Sequence, residues 1–212
     1  MRLAVVAIIK KINSLLRRLV YYSHGVQHKL EWGWPNEPEW FDHYLDQYFS
    51  WPRRKEPLWL ERGIFGLLCI KKDAKVLELC CGDGFNTKYM YSHRVSEITA
   101  LDFDPIAIKH AETYNNDRNI KYVLGDIRHQ FPEGFYDNII WDAAIAHFTA
   151  DETAHILKNI KSRLGPGGVL SGASLVEKQS GVKQLSHHEY EFKSKEDLLR
   201  FFTPWFKHVR VF

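Results

Sequence analysis

Apolar side chains at Val5, Ile8, Ile9, Ile12, Leu15, Leu16 and Leu19 recur in steps of three and four, which predicts one face of a helix. Lys10, Lys11, Asn13, Ser14, Arg17 and Arg18 take the opposite face. The uninterrupted apolar run, Leu3 to Ile9, is far short of the roughly 20 residues a bilayer crossing needs. Lys10-Lys11 breaks it, and no small-residue cleavage site follows, so it does not read as a signal peptide. Over residues 31–59 the pattern turns aromatic. Trp32, Trp34, Trp40, Trp51 and Trp59 lie here, interrupted by Pro35, Pro38, Pro52 and Pro57, so only short helices are expected: Glu39 to Tyr48, then Leu58 to Ile70. Such a segment can be a lid or substrate wall, or a packed cap.

From Lys75 onward short apolar runs alternate with helical stretches. Strands are expected at Lys75–Cys80, Glu97–Leu101, Ile120–Leu124, Asn138–Ala143, Val169–Leu175 and Lys207–Phe212. Helices are expected at Phe85–His93, Pro105–Asn115, Glu152–Leu164 and Ser194–Phe202, with Gly165-Pro166-Gly167-Gly168 stopping the third and Ser194 capping the last. Lys183–Phe192 is the candidate for an additional edge strand. Strands alternating with helices imply an α/β fold with a doubly wound, mostly parallel sheet. The N-terminal helical extension, 1–59, precedes a domain over 60–212.

Composition changes this picture little. The chain has 212 residues, 45% hydrophobic and 26% charged, as soluble globular chains have. Three cysteines, Cys69, Cys80 and Cys81, exclude a disulfide framework and suit a reducing, cytoplasmic setting. Charge distribution says more. Residues 1–30 carry six Lys/Arg and no acid, which leaves the remaining 182 residues with 23 basic against 26 acidic, net −3. A broad nucleic-acid-binding face is therefore not expected. Residues 1–22 have two readings: a stripe packed on the domain or on a second subunit, or a basic amphipathic helix lying peripherally on the anionic inner face of a membrane.

The chemistry gathers at strand ends. The first strand runs into Glu78-Leu79-Cys80-Cys81-Gly82-Asp83-Gly84, where glycines let backbone N–H groups approach a ligand. The second ends in Asp102-Phe103-Asp104-Pro105, where an acid can accept both hydroxyls of a ribose. The third ends in Gly125-Asp126-Ile127, adding an acid on the same edge.

These three acid-bearing strand ends resemble the class I S-adenosylmethionine-dependent methyltransferases, over about residues 60–212. The resemblance implies S-adenosylmethionine as cofactor, with Glu78, Cys80, Gly82 and Gly84 at its methionine part, Asp102 at the ribose, Phe103 flanking the adenine, and Asp126 with Ile127 at the adenine amino group. Phe135 to Asp142 is similar to the family's fourth-strand motif and brings Trp141 to the cofactor; Gly165 to Gly168 is similar to its loop before strand five. Cys80 stands where the loop has its first glycine, at a cost of roughly 1–2 kcal/mol if the site needs positive φ. A nicotinamide-binding Rossmann oxidoreductase is the rival reading of the same glycines. It puts β-branched Thr87 where close helix–strand packing wants Gly or Ala, and leaves Asp126 without a role.

The expected reaction is methyl transfer to an oxygen, with nitrogen second, of a small molecule or a saccharide- or lipid-linked intermediate. His147, just past the fourth strand, is the candidate general base. Asp142, His187 and His188 are candidate substrate contacts. Because adjacent histidines point different ways, His187 and His188 are not expected to share a metal. Trp141-Asp142-Ala143-Ala144 differs from the Asn/Asp-Pro-Pro-Tyr/Phe signature of methyltransferases acting on amino groups of bases and glutamine, which weighs against a nucleic-acid substrate. A non-catalytic binding or regulatory protein on the same fold is the alternative from another class.

Overall fold

A computed structural model describes residues 2–32, 40, 42–55, 58–177 and 183–212. The chain divides into two compact units, Met1–Glu61 and Arg62–Phe212.

In the first unit, α1 (Arg2–Trp32) extends the periodic pattern well past Leu19. Its apolar stripe is exposed from Leu3 to Leu19. α2 (His43–Arg54) packs on its C-terminal half. Gly25 makes room for that contact: a Cβ there would sit 2.6 Å from the Phe49 ring. Tyr21, His24 and His28 surround Phe49 with ring centroids 5.5–5.9 Å away. Buried His24 approaches buried Asp46 at 3.5 Å.

α2 does not start at Glu39, which lies outside the described residues. Asp42 caps the helix, its carboxylate accepting from the Leu45 N–H at 3.0 Å. Nor does Pro52 stop it; the helix runs on to Arg54 and ends with Lys55 in the left-handed region, its N–H donating to the Trp51 carbonyl. Trp34, Pro35 and Pro38 lie outside the described residues, and the lid and cap readings of this segment stand side by side.

The second unit holds β1 (Lys75–Leu79), β2 (Glu97–Asp102), β3 (Ile120–Leu124), β4 (Tyr136–Trp141) and β5 (Leu164–Ser171) in one sheet, order β3-β2-β1-β4-β5, with every pairing parallel. The order reverses between β1 and β4, and such a switch point opens a crevice at the carboxyl ends of the strands. The central strands carry Val76, Leu77, Leu79, Ile98, Leu101, Ile139 and Ile140, all but sealed from solvent, as two-sided burial requires. α4 (Pro105–Tyr114) and α5 (Ala150–Arg163) connect strands, and α6 (Lys195–Phe202) follows Ser194, which caps it. α3 (Leu58–Cys69) precedes β1; its Gly63 and Gly66 leave space for Met90, Asn86 and the Tyr91 hydroxyl.

Several boundaries differ from the sequence pattern. β4 begins at Tyr136 and ends at Trp141, because Asp142 and Ala143 leave the ladder. β5 starts at Leu164, directly at the end of α5, so Gly165 to Gly168 bulge along the strand edge instead of forming a separate stop. Lys207–Phe212 is not a strand; its alternating Val209 and Val211 find no ladder to join. Lys183–Phe192 is not an edge strand either, apart from one bridge between Val176 and Phe192. Its N–H groups go elsewhere: those of Glu189 and Tyr190 converge on the Ala146 carbonyl, which folds the segment over the turn after β4.

Candidate functional site

The β1 loop is built on three left-handed residues in five: Cys80 (φ 59°), Gly82 (φ 55°) and Gly84 (φ 73°). The strain anticipated at Cys80 is therefore present. Gly84 tolerates no side chain, since a Cβ would fall 2.3 Å from the Tyr122 hydroxyl oxygen. The loop is tied to β2 by a hydrogen bond from the Cys81 N–H to the Leu101 carbonyl, 3.0 Å. A second tie comes from Asp102. Its Oδ2 accepts from the Gly82 N–H at 2.8 Å and its Oδ1 from the Asp104 N–H at 3.0 Å. Burial raises the Asp102 pKa, and these N–H donors work against the rise.

Glu78 is buried as the last residue but one of β1, and the Thr87 hydroxyl donates to its Oε2 at 2.6 Å. Desolvation pushes its pKa up to about 8, with the charges of Asp142, Asp83 and Asp102 adding to the rise. Burial likewise drives the Cys80 and Cys81 thiols well above their usual range, which suits packing and not nucleophilic attack.

Asp126 lies past β3. Arg128 grips it with Nε and Nη, at 2.6–3.0 Å, and this contact holds the carboxyl below its ordinary pKa. Arg128 also reaches Glu152 at 3.5 Å. Ile127 is buried, Phe103 is half exposed, and Trp141 sits in the core against Phe148, ring centroids 5.7 Å apart.

On the β4 side, Asp142 is engaged within the protein. Its Oδ2 accepts from both Nε and Nη of Arg62 at 2.8 and 2.6 Å, and its Oδ1 from the Ala173 N–H at 2.8 Å. Ala143 follows with φ 56° and donates to the Ala173 carbonyl, so the chain turns sharply out of β4. That turn leads into a short helical turn, Ile145–His147. His147 stacks on His187 (4.8 Å, 13°) and meets His188 edge-on (4.9 Å, 78°). Burial, then the two neighbouring histidines, lowers the His147 pKa to about 4.

His187 and His188 do not diverge as adjacency suggested. One potential ligand atom from each of His147, His187 and His188 lies within 4.8 Å of the others. His188 is buried, with Nδ1 2.5 Å from Glu191 Oε1, which also accepts from the Gln184 N–H at 2.6 Å. Burial favours a higher Glu191 pKa, yet the His188 and Gln184 contacts prevail and hold it down.

Sequence reasoning missed Arg62, Thr87, Arg128 and Glu191. Arg128 was within reach of a local pattern, an acid with an arginine two positions on. Thr149-x-x-Glu152 is a capping box that fixes the start of α5, with Glu152 accepting from the Thr149 N–H. Arg62 and Glu191 carry no local signal for their partners at Asp142 and His188.

Residues 76–168 match the model of a family described as a methyltransferase domain. An uncharacterized methyltransferase of Mycobacterium bovis is 28% identical over 102 residues, 48% of this chain and 50% of that one. Another, from Synechocystis, is 31% identical over 107 residues, 49% and 48%. The chain thus spans about half the length of the curated relatives it matches. Among solved structures, the DhpI complex with SAM and HEP covers 90% of this chain and 87% of its own at 19% identity, with a TM-score of 0.55. The parallel sheet and the acids at its strand ends agree with that match: over residues 76–168 the chain is similar to methyltransferase domains.

Proposed function

We propose that the chain binds S-adenosylmethionine along the β1–β2–β3 edge and moves its methyl group to an oxygen of a small molecule or a saccharide- or lipid-linked intermediate. Nitrogen is the second choice of acceptor atom. The observation that carries this reading is Asp102, locked by the Gly82 and Asp104 N–H groups beside the glycine loop. Each of its oxygens keeps a lone pair for one hydroxyl of a ribose diol. Glu78 fits the other end of the ligand. A buried carboxyl with a pKa of about 8 is mostly protonated at pH 7; an α-ammonium placed against it favours the ionised form. Phe103 and Ile127 would flank the adenine, and Asp126 would accept from its amino group while keeping Arg128. When bound, the cofactor supplies a sulfonium methyl, and positioning of the attacking atom supplies much of the rate.

The acceptor enters, in this reading, from the β4 side, toward His147, His187 and His188. With a pKa of about 4, His147 is neutral at pH 7 and a weaker base than an ordinary histidine. Its proposed part is to accept a hydrogen bond from the acceptor hydroxyl and orient it. Asp142, held by Arg62 and Ala173, would support the turn that carries His147.

Calorimetry with S-adenosylmethionine tests the cofactor half: binding by the wild type and its loss in Asp102→Ala are expected, and no binding by the wild type refutes the reading. Labelled methyl transfer into a pool of small metabolites and glycans tests the acceptor half; label only on nucleic acid would refute it.

Residues 1–22 are proposed to touch an anionic membrane surface, which would bring the domain to a lipid-linked acceptor. The support is an apolar stripe exposed from Leu3 to Leu19, set beside basic residues with no acid. No helix among the described residues is long and apolar enough to cross a membrane. Sedimentation with anionic vesicles should fall sharply when 1–22 are deleted; equal sedimentation would end this proposal.

A further inference from the structure

We propose that His147, His187 and His188 form a binding site for a divalent transition-metal ion of the zinc type, with Glu191 orienting one of the ligands. The three imidazoles come from two segments, the helical turn after β4 and the loop that folds back over it. Even if all three separations were at the 4.8 Å limit, an ion centred among the three atoms would sit about 2.8 Å from each. Zinc–imidazole bonds are about 2.0–2.1 Å, so each ring has to close by at most roughly 0.8 Å. Closing on an ion also opens the His147–His187 stack, because an imidazole lone pair lies in its ring plane and two rings stacked face to face cannot both aim at one ion.

His188 supplies the second, independent observation. It is 1% exposed, and its Nε2 has no hydrogen-bond partner. A buried imidazole nitrogen left bare is costly unless something meets it. The opposite nitrogen, Nδ1, is engaged by Glu191, which is buried and pinned in turn by the Gln184 N–H. A carboxylate on the far nitrogen fixes the tautomer, presents Nε2 as the lone pair and raises its basicity, the arrangement that supports metal-ligating histidines. The donor set selects the ion. Three nitrogens with no thiolate and no oxygen ligand suit zinc, cobalt or nickel over magnesium or calcium. Three protein ligands also leave a position open, where an oxygen of water or of an acceptor would bind. At that position the ion would hold the acceptor oxygen in place of the hydrogen bond to His147.

The ion's hold on an acceptor oxygen rests on the methyl-transfer reading, but binding of the ion does not, so its test uses neither cofactor nor acceptor. Untagged, metal-depleted full chain is titrated with zinc by calorimetry, and with cobalt by visible absorption. The expected result is one equivalent per chain, with the strong visible bands of four- or five-coordinate cobalt. His187 is partly exposed, so His187→Ala should keep its fold by circular dichroism while zinc affinity drops at least tenfold. His147→Ala should do the same. Glu191→Gln should weaken binding about 10–100-fold without changing the stoichiometry. Absence of stoichiometric binding overturns the proposal, and so do cobalt bands unchanged in His187→Ala and His147→Ala.

Discussion

The two halves of the sheet's carboxyl edge are put together differently. On the β1–β2–β3 side, the candidate groups sit where each strand stops: Glu78 near the end of β1, Asp102 as the last residue of β2, Asp126 two residues past β3. The ties between them are short and largely backbone, as in Asp102 to Gly82. On the β4–β5 side, the groups come from segments far apart in sequence. Arg62 reaches Asp142 across 80 positions, and His147 meets His187 across 40. One half is specified by strand termini, the other by tertiary folding of loops. The first half is proposed to hold the cofactor and the second to face the acceptor.

The largest effect expected from breaking the first half is at Glu78. Its proton stays on in the folded state up to about pH 8, while an unfolded glutamate releases it near 4.5. Between those values the folded state binds more protons, so this group's contribution to stability is full below about pH 4.5 and is lost as pH rises to about 8. At roughly 1.4 kcal/mol per pKa unit, the loss is on the order of a few kcal/mol. Glu78→Gln removes the slope. Denaturant unfolding of the ligand-free protein should find the variant more stable than wild type at pH 9, with the gap closing toward pH 5. A gap independent of pH would mean that Glu78 is already ionised when folded. If Glu78 meets an ammonium, the same variant should bind S-adenosylmethionine more weakly.

Next in size is Asp102→Ala. It removes the acceptor for two backbone N–H groups and the proposed partner of the ribose diol. A charge-assisted hydrogen bond contributes about 1.5–3 kcal/mol, so calorimetry should show cofactor affinity falling by about 100-fold or more. Asp102→Asn, which keeps one acceptor oxygen, should fall between. An affinity unchanged in both would detach the β2 terminus from the cofactor.

That asymmetry accounts for what was legible in the sequence. Parallel strands buried on both faces show as apolar runs, as in β1 and β4, and even β3, a half-exposed edge strand, has the bounds its pattern predicts. Glycines and acids at strand ends are local, so the Asp102–Gly82 side of the site could be read in order. The segment 183–192 could not. Its fate depends on the Ala146 carbonyl and the His188–Glu191 pair, neither of which is encoded in a period of two. The same holds for the last six residues, where alternation promised a strand but the sheet offers no partner. Adjacent histidines illustrate the limit well. In an extended strand they would oppose one another; in a tight turn their nitrogens converge.

Breaking the second half should cost less, and in stability first. Arg62 and Asp142 are about 85% buried, and Asp142 keeps only the Ala173 N–H when the guanidinium goes. Arg62→Ala should destabilise the folded state by about 2–3 kcal/mol, since it strands a mostly buried carboxylate. The cofactor affinity should change by less than it does in Asp102→Ala. A reversed ranking would mean that the β4 edge shapes the cofactor's grip and that the two halves are not separable.

The smallest effect probes the link between the halves. Glu152 accepts from the Thr149 N–H and hydroxyl at the start of α5, and it also meets Arg128, which holds Asp126. One carboxylate therefore ties the β4-side helix to the β3-side acid. Thr149→Ala removes the side-chain half of the capping box, and helix capping is worth about 1 kcal/mol. The Arg128 contact with Glu152 is long and partly exposed, so little of that loss should pass through it. Thermal unfolding should register a shift of a few degrees, while the affinity for S-adenosylmethionine should stay within about twofold of wild type. If affinity falls tenfold instead, Asp126 depends on α5 through Arg128, and the acid that reads as a local strand-end feature is itself set by the far side of the sheet.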